Sequence, residues 1–310
     1  MRILTANTGS SSLKVRLIGD HDDVIAASDD GDLGSFVSAA GPIDAVSSAL
    51  PGIPAFACFD TAFHADMPDA AVVYALPAQW RERRGVRRYG FHGLSHAWVA
   101  RRAADLLARP SGGLRTVSCH LGAGASLCAI RDGRSVDTTM GFTPLEGLVM
   151  ATRSGNVDPG LLVWLLERNE LSVAELARAL EHGSGLLGLT GTADMREVLE
   201  RSSAADASAQ LGLDVYLHRL CAGIAAMAAS LGGLDALVFT GGVGENAPEI
   251  RERAARALGF LGVAVDASRN RELARDGDIS VEHAAVRTLV VHAREDLEIA
   301  CQVRTAMAGR

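Results

Sequence analysis

Lysine is almost missing from this chain of 310 residues: Lys14 stands alone, and every other cation in the Lys plus Arg total of 30 is arginine. Positive charge is also outweighed, since 37 Asp and Glu leave a net charge of −7, which argues against a nucleic-acid binder. No apolar run reads as long enough for a membrane span, and the first residues lack the basic and apolar regions of a secretory signal, so neither membrane nor export is expected. Cys58, Cys119, Cys128, Cys221 and Cys301 are scattered without metal-ligand spacing; free thiols in a reducing cytoplasm account for them. There is no repeat at solenoid spacing and no Walker A loop. What remains is a chain 48% hydrophobic and 22% charged, composed to fold as a globule and long enough for two domains.

The lone lysine closes a stretch of small and hydroxylic residues from Ala6 through Asn7, Ser10, Ser11 and Ser12 to Lys14. Strands are expected at 1–5 and 15–18, and a glycine between strands reads as a hairpin turn. Small residues let backbone N–H groups approach an anion, and hydroxyls add donors; an ordinary polar hairpin reads equally well. The pattern recurs at 115–130, where a strand, a turn from His120 to Ser126 and a second strand follow one another. Two such hairpins suggest related half-sheets clamping one phosphate chain. A strand at 236–239 opens into Gly241, Gly242 and Gly244, then a helix at 247–258, an arrangement suited to a nucleotide.

Other stretches carry single candidates. A strand at 54–59 is expected to end at Asp60, where open α/β sheets place ligands; Asp60 also reads as a helix N-cap. Glycines flank Phe91 and His92 ahead of a helix at 97–107, and His92 reads either as a ligand contact or as a hydrogen-bonded structural histidine. The irregular Thr- and Gly-rich segment 136–159 is long for structure alone. It carries Arg153, placed to reach a phosphoryl oxygen or to form a surface ion pair. Weak strands at 24–27 and 43–46, helices at 160–168 and 173–181, a glycine-rich turn at 183–191, a last strand at 287–291 and a helix at 295–306 complete the outline. The Ala-rich helix at 207–231 is apolar on most faces, so it is expected to be buried or at a subunit contact.

Together, in order, these stretches resemble the acetate kinase family of the sugar kinase/actin/Hsp70 superfamily. The matching segments are 7–14, 59–64, 88–93, 120–126, 143–147, 152–159 and 239–246. The resemblance implies an α/β fold of two ribonuclease-H-like (actin-like ATPase) domains, mixed sheets flanked by helices, with ATP in the cleft and a truncated N-terminal domain. Residues 1–64 plus 297–310 would form the phosphate- and acyl-binding domain, and 65–296 the nucleotide-binding and dimerisation domain. The implied activity is reversible, Mg2+-dependent (or Mn2+-dependent) phosphoryl transfer between ATP and acetate, giving acetyl phosphate and ADP, in a cytoplasmic homodimer. A propionate or butyrate kinase, or a catalytically impaired nucleotide-binding homologue, is the alternative. By position, Asn7 and Glu295 match the metal site, His92 and Arg153 the transition-state stabilisers, and Asp60 the active-site carboxylate. Ser10, Ser12 and Lys14 match the phosphate hairpin. His120, Leu121, Gly122, Ala123, Gly124, Asp194, Met195, Arg196, Gly242, Val243, Gly244, Glu245 and Asn246 match the nucleotide segments.

The residues suit that chemistry. A carboxylate nucleophile is already ionised at neutral pH, so phosphoryl transfer asks mainly for alignment and for cations around the equatorial oxygens. Two departures stand out. Ala123 replaces an asparagine usual in the family. Between 20 and 54 nothing matches the family's His-Arg-x-x-His-Gly-Gly segment or its His-x-Pro loop, which hold its substrate-binding arginine, as though a block were excised. The N-terminal domain left behind is small enough to be marginal by itself, with an unpaired sheet edge expected.

Overall fold

The computed structural model describes residues 3–8, 13–19, 22–28, 54 and 56–308. Ser10, Ser12 and the strand expected at 43–46 lie outside the described residues. The chain divides into two compact units, Met1–Ala62 with Arg294–Arg310, and Phe63–Ala293.

In the first unit, β1 (Ile3–Thr8), β2 (Leu13–Ile18) and β3 (Val24–Ser28) form an antiparallel meander in that order. The register pairs Ile3 with Ile18 and Asn7 with Lys14. Ile3 and Thr5 are buried while Leu4 between them is exposed, the alternation of a sheet covered on one face. The helix Glu295–Ala308 packs on β1 and buries Leu297, Ala300 and Val303 at helical spacing. Its Arg304 donates to the Gly19 carbonyl at 2.7 Å and pairs with Asp22. The strand expected at 54–59 is not formed: residues 56–59 are irregular and lead into a turn at Asp60. Pro54 has no N–H for a ladder, and a short apolar run does not by itself fix a strand.

The second unit holds a six-stranded mixed sheet in the order β6-β5-β4-β7-β9-β8, built from β4 (Arg115–Leu121), β5 (Ala125–Arg131), β6 (Arg134–Thr138), β7 (Ala236–Thr240), β8 (Gly277–Asp278) and β9 (Arg287–Val290). β4, β5 and β6 are an antiparallel meander, and β4, β7 and β9 run parallel, which is the ribonuclease-H-like order. β6 occupies part of the segment expected to be irregular. The helices that matter to the site are α1 (Gly93–Leu106), α2 (Pro159–Glu167), α3 (Gly185–Thr190), α4 (Met195–Ser203), α5 (Ala207–Leu231), α6 (Gly241–Asn246) and α7 (Pro248–Ala257). Two stretches expected as glycine turns, 183–191 and 241–246, thus contain the short helices α3 and α6. Their glycines serve the helix entries instead: Gly185 and Gly241 have φ of +63° and +77°, a region open to glycine.

Alternation along the strands sorts the sheet's two faces. Val117, Cys119, Leu121, Leu127, Leu237 and Phe239 point to one side, into a core shared with Leu213, Leu220 and Ile224 of α5. Contrary to the expectation that no stretch has the makings of a span, α5 is long and apolar enough to cross a bilayer, with a mean hydropathy of 1.2. Its buried stripe lies in this core, which accounts for its composition. α1 covers the opposite face, where Val99 and Ala103 pack with Val238, Leu289 and Val291. That face also carries Ser118 and His120, two residues apart on β4, and Ser126 directly across from His120 on β5. The face covered by α1 is therefore apolar at its middle and polar towards the β4–β5 turn.

Candidate functional site

The β4–β5 turn closes on itself through Gly122 N–H to the Gly124 carbonyl at 2.9 Å, and Ala123 accepts from Ala151 N–H at 3.1 Å. The side chain of Ala123 is exposed and its carbonyl carries the contact. A Cβ built on Gly124 would lie 3.2 Å from His92 Nε2 and 3.4 Å from Arg153 Nη1. The bare glycine, the imidazole and the guanidinium therefore meet at one point.

His92 reaches that point because it is the residue before α1 and adopts a left-handed φ of +56°. The helix consequently begins at Gly93, four residues before the expected start. His92 stacks on His120 with ring centroids 4.2 Å apart, and its Nδ1 lies 3.0 Å from Ser126 Oγ. His120 Nδ1 lies 2.8 Å from Ser95 Oγ. Burial, then the neighbouring His120 and the Arg153 cation, push the proton affinity of His92 well below its ordinary value of 6.5. The ring is neutral at neutral pH.

Arg153 is fixed through its backbone. The first N–H groups of a helix lack intrahelical partners, and those of α3 donate to the loop instead: Leu186 N–H to the Met150 carbonyl and Leu187 N–H to the Ala151 carbonyl, both at 2.9 Å. Gly185 permits this approach, since a Cβ there would meet the Met150 carbonyl and sit 2.7 Å from that of Arg153. Among the described residues the guanidinium has one side-chain partner, Met150 Sδ at 4.0 Å, and no carboxylate. A half-buried cation left in that state is ready for an anion.

The third glycine segment lies alongside. Gly241 packs so tightly that its Cβ would be 2.8 Å from the Leu121 carbonyl, and the Cβ of Gly244 would be 3.6 Å from that of Cys119. The loop thus abuts the end of β4. Glu245 spends Oε1 on the N–H groups of Gly241 and Ala293, both at 2.9 Å. Asn246 donates to the Gly242 carbonyl at 2.9 Å. Behind them Arg251, which is 2% exposed, donates to the carbonyls of Gly244 at 2.8 Å, Glu245 at 2.7 Å and Asn270 at 2.6 Å. Val243 is half-buried against the core.

Within the second unit some candidates keep their side chains out of this convergence. The side chains of Leu121 and Met195 belong to the hydrophobic core, which leaves only their main chains to meet a ligand. Asp194 caps α4 and pairs with Arg196 at 2.6 Å, and this partner holds its carboxyl at about 2. In the first unit, Asp60 is half-buried in its turn, Glu295 opens an acidic helix start with Asp296 and Glu298, and Asn7 and Lys14 are cross-strand neighbours. No group of three or more His, Cys, Asp or Glu among the described residues has the arrangement of a metal cage. An amide and a carboxylate are hard oxygen donors, the few that magnesium takes when phosphates and water complete its shell.

Sequence reasoning gave no role to Ser95, His96 or Ser118, and it took Ser126 only as the end of a matching turn. The signal was present as spacing: His92 and His96 are one helical turn apart, and Ser118 and His120 share a strand face.

A model of the acetokinase family matches residues 36–301. The acetate kinase of Nostoc punctiforme is 52% identical over 259 residues, covering 83% of this chain and 64% of that protein. The solved acetate kinase of Porphyromonas gingivalis is similar with a TM-score of 0.89 at 29% identity, covering 99% of each chain. A propionate kinase from Francisella tularensis gives 0.84 at 30% identity, covering 96% of this chain and 98% of that one. The chain spans just under two thirds of the length of the curated relatives it matches.

Proposed function

The chain belongs to the acetokinase family, and from that premise we propose that it transfers a phosphoryl group reversibly between ATP and acetate, with Mg2+, giving acetyl phosphate and ADP. The observation that carries this reading is the meeting of a guanidinium without a carboxylate partner among the described residues, a neutral imidazole and a bare glycine at the β4–β5 turn.

The acetate carboxylate attacks as it stands, so no general base is required. A bond forms from its oxygen to the γ-phosphorus as the bond to the bridging oxygen of ADP breaks. Arg153 donates to equatorial oxygens whose charge develops in the transition state, and His92 donates to the same group. His120, Gly122, Ala123, Gly124, Gly242, Val243, Gly244, Glu245 and Asn246 line the nucleotide, with Leu121 and Met195 offering main chain and Asp194 with Arg196 a surface pair. In the first unit Ser10, Ser12 and Lys14 hold phosphates, and Asp60 aligns the reacting groups. Asn7 and Glu295 would hold Mg2+, which when bound neutralises phosphate charge. The first unit is the phosphate- and acyl-binding domain in this reading, and the second binds nucleotide and pairs subunits.

Pairing is assigned to α2. Six apolar residues in a row, 161–166, lie on a helix that buries none of its residues, and Leu161, Val163 and Trp164 are exposed. An exposed apolar face of this kind marks an interface. All five cysteines are free thiols, as a reducing cytoplasm would keep them.

One observation favours a second reading, a nucleotide-binding homologue without turnover: the chain spans 64% of its relative's length and lacks a match to the family's substrate arginine segment. A hydroxamate assay with acetate, ATP and Mg2+ separates the two. Product above blank supports the kinase; no product alongside measurable ATP binding selects the second reading. Propionate in the same assay ranks the acyl chains.

A further inference from the structure

A line of polar side chains runs through the interior behind His92. Ser118 Oγ lies 2.9 Å from His96 Nδ1, His96 Nε2 lies 2.8 Å from Ser126 Oγ, and Ser126 Oγ lies 3.0 Å from His92 Nδ1. Ser118, His96 and Ser126 are fully buried. Three elements supply them: the start of α1 gives both histidines, β4 gives Ser118 and β5 gives Ser126.

Proton counting restricts what this line can do. A neutral imidazole donates from one nitrogen and accepts at the other, and a hydroxyl has one proton to give. When Ser126 donates to His92 Nδ1, its own acceptor site takes His96 Nε2–H, and His96 Nδ1 accepts from Ser118. His92 then carries its proton on Nε2. Every other pattern puts the His92 proton on Nδ1 and a lone pair on Nε2. Nε2 is the ring atom nearest Gly124 and faces the same point as Arg153. A phosphoryl anion there is met by a donor in the first pattern alone. Burial and the neighbouring histidines keep both rings neutral near neutral pH, which removes imidazolium patterns.

We propose that His96 and Ser126 are positioning residues that fix His92 as its Nε2–H tautomer and hold that donor towards the transferring group. The direction of the relay rests on the phosphoryl-transfer reading; its hydrogen bonds do not.

The test is nitrogen NMR on the full chain with isotopically labelled histidine, His92 being assigned by the signals that vanish in His92→Asn. The wild type is expected to show His92 protonated on Nε2, and Ser126→Ala to move the proton to Nδ1 or to a mixture. In steady-state assays Ser126→Ala is expected to lose about tenfold in kcat, the worth of roughly one hydrogen bond, with KM for ATP and acetate unchanged. His96→Gln keeps a donor at the Nε2 position and is expected to retain more activity than His96→Leu. Should His96→Leu not fold, Ser126→Ala and His96→Gln still decide the matter. A wild-type His92 protonated on Nδ1, or a Ser126→Ala spectrum unchanged at His92, overturns the relay. If the wild type makes no acyl phosphate, the kinase reading falls by itself while the nitrogen spectra still judge the relay.

Discussion

Arg153 and His92 illustrate how the same point can be served by a charge and by a neutral group. The guanidinium has no carboxylate near it among the described residues, so its charge is fully available to an anion. In the proposed reaction that charge meets one developing in the transition state, so Arg153→Ala should lower kcat by about 10³-fold while leaving ATP affinity by calorimetry nearly unchanged. Equal losses in rate and affinity would refute the assignment. The histidines make a different prediction. His96 is wholly buried, and desolvation holds its proton affinity well below the ordinary 6.5. In the unfolded chain it protonates near ~6.5. Below that pH the unfolded state binds a proton that the folded state refuses. The His96 contribution is therefore fully present above about pH 6.5 and lost as pH falls towards the folded value. The free energy of urea unfolding should decline between about pH 7 and 5, with a limiting slope of ~1.4 kcal/mol per pH unit from this ring. His96→Gln should flatten that slope; an unchanged slope would exclude His96 as its source.

Short helices entered through left-handed glycines place the site's loops. Gly185 is the clearest case: its φ of +63° and the carbonyls of Met150 and Arg153 against it leave no space for a side chain. Gly185→Ala should cost at least about 1–2 kcal/mol in urea unfolding from backbone conformation alone. It should also lower kcat by displacing Arg153; an unchanged rate would show that the loop is held by other means. The same element shows where sequence reading stops. The Ala-rich, apolar composition located α5 to its ends, where Asp206 caps one and a left-handed Gly232 terminates the other. The strands β4, β5 and β7 were legible because apolar runs are bounded by turn residues. The runs 183–191 and 241–246 read as turns because glycine propensity is averaged over a short window, and six residues carry too little periodicity to outvote it. At 56–59 the apolar run has no ladder partners among the described residues. At the site, His92, Gly124 and Arg153 were legible as separate candidates from their glycine-rich settings. Their meeting depends on helix register and cross-strand pairing, which no local window contains.

At the scale of the whole molecule, the exposed apolar row on α2 calls for a partner. Val163, 53% exposed, lies on the helix that buries none of its residues, so in the proposed pairing Val163→Glu should leave the far-UV circular dichroism intact and shift the mass by light scattering from two subunits to one. A wild type that already runs as a single subunit would sink the pairing. The first unit is assembled from Met1–Ala62 and Arg294–Arg310, on either side of the larger one in sequence. β1 and β2 leave the ribosome before the larger unit does, yet the helix that covers β1 is made only after residue 294. The larger unit, continuous from 63 to 293, is complete before then and is free to fold during synthesis. β1 and β2 must meanwhile remain without their cover, which makes this nascent hairpin the segment most in need of a chaperone until that helix has been made.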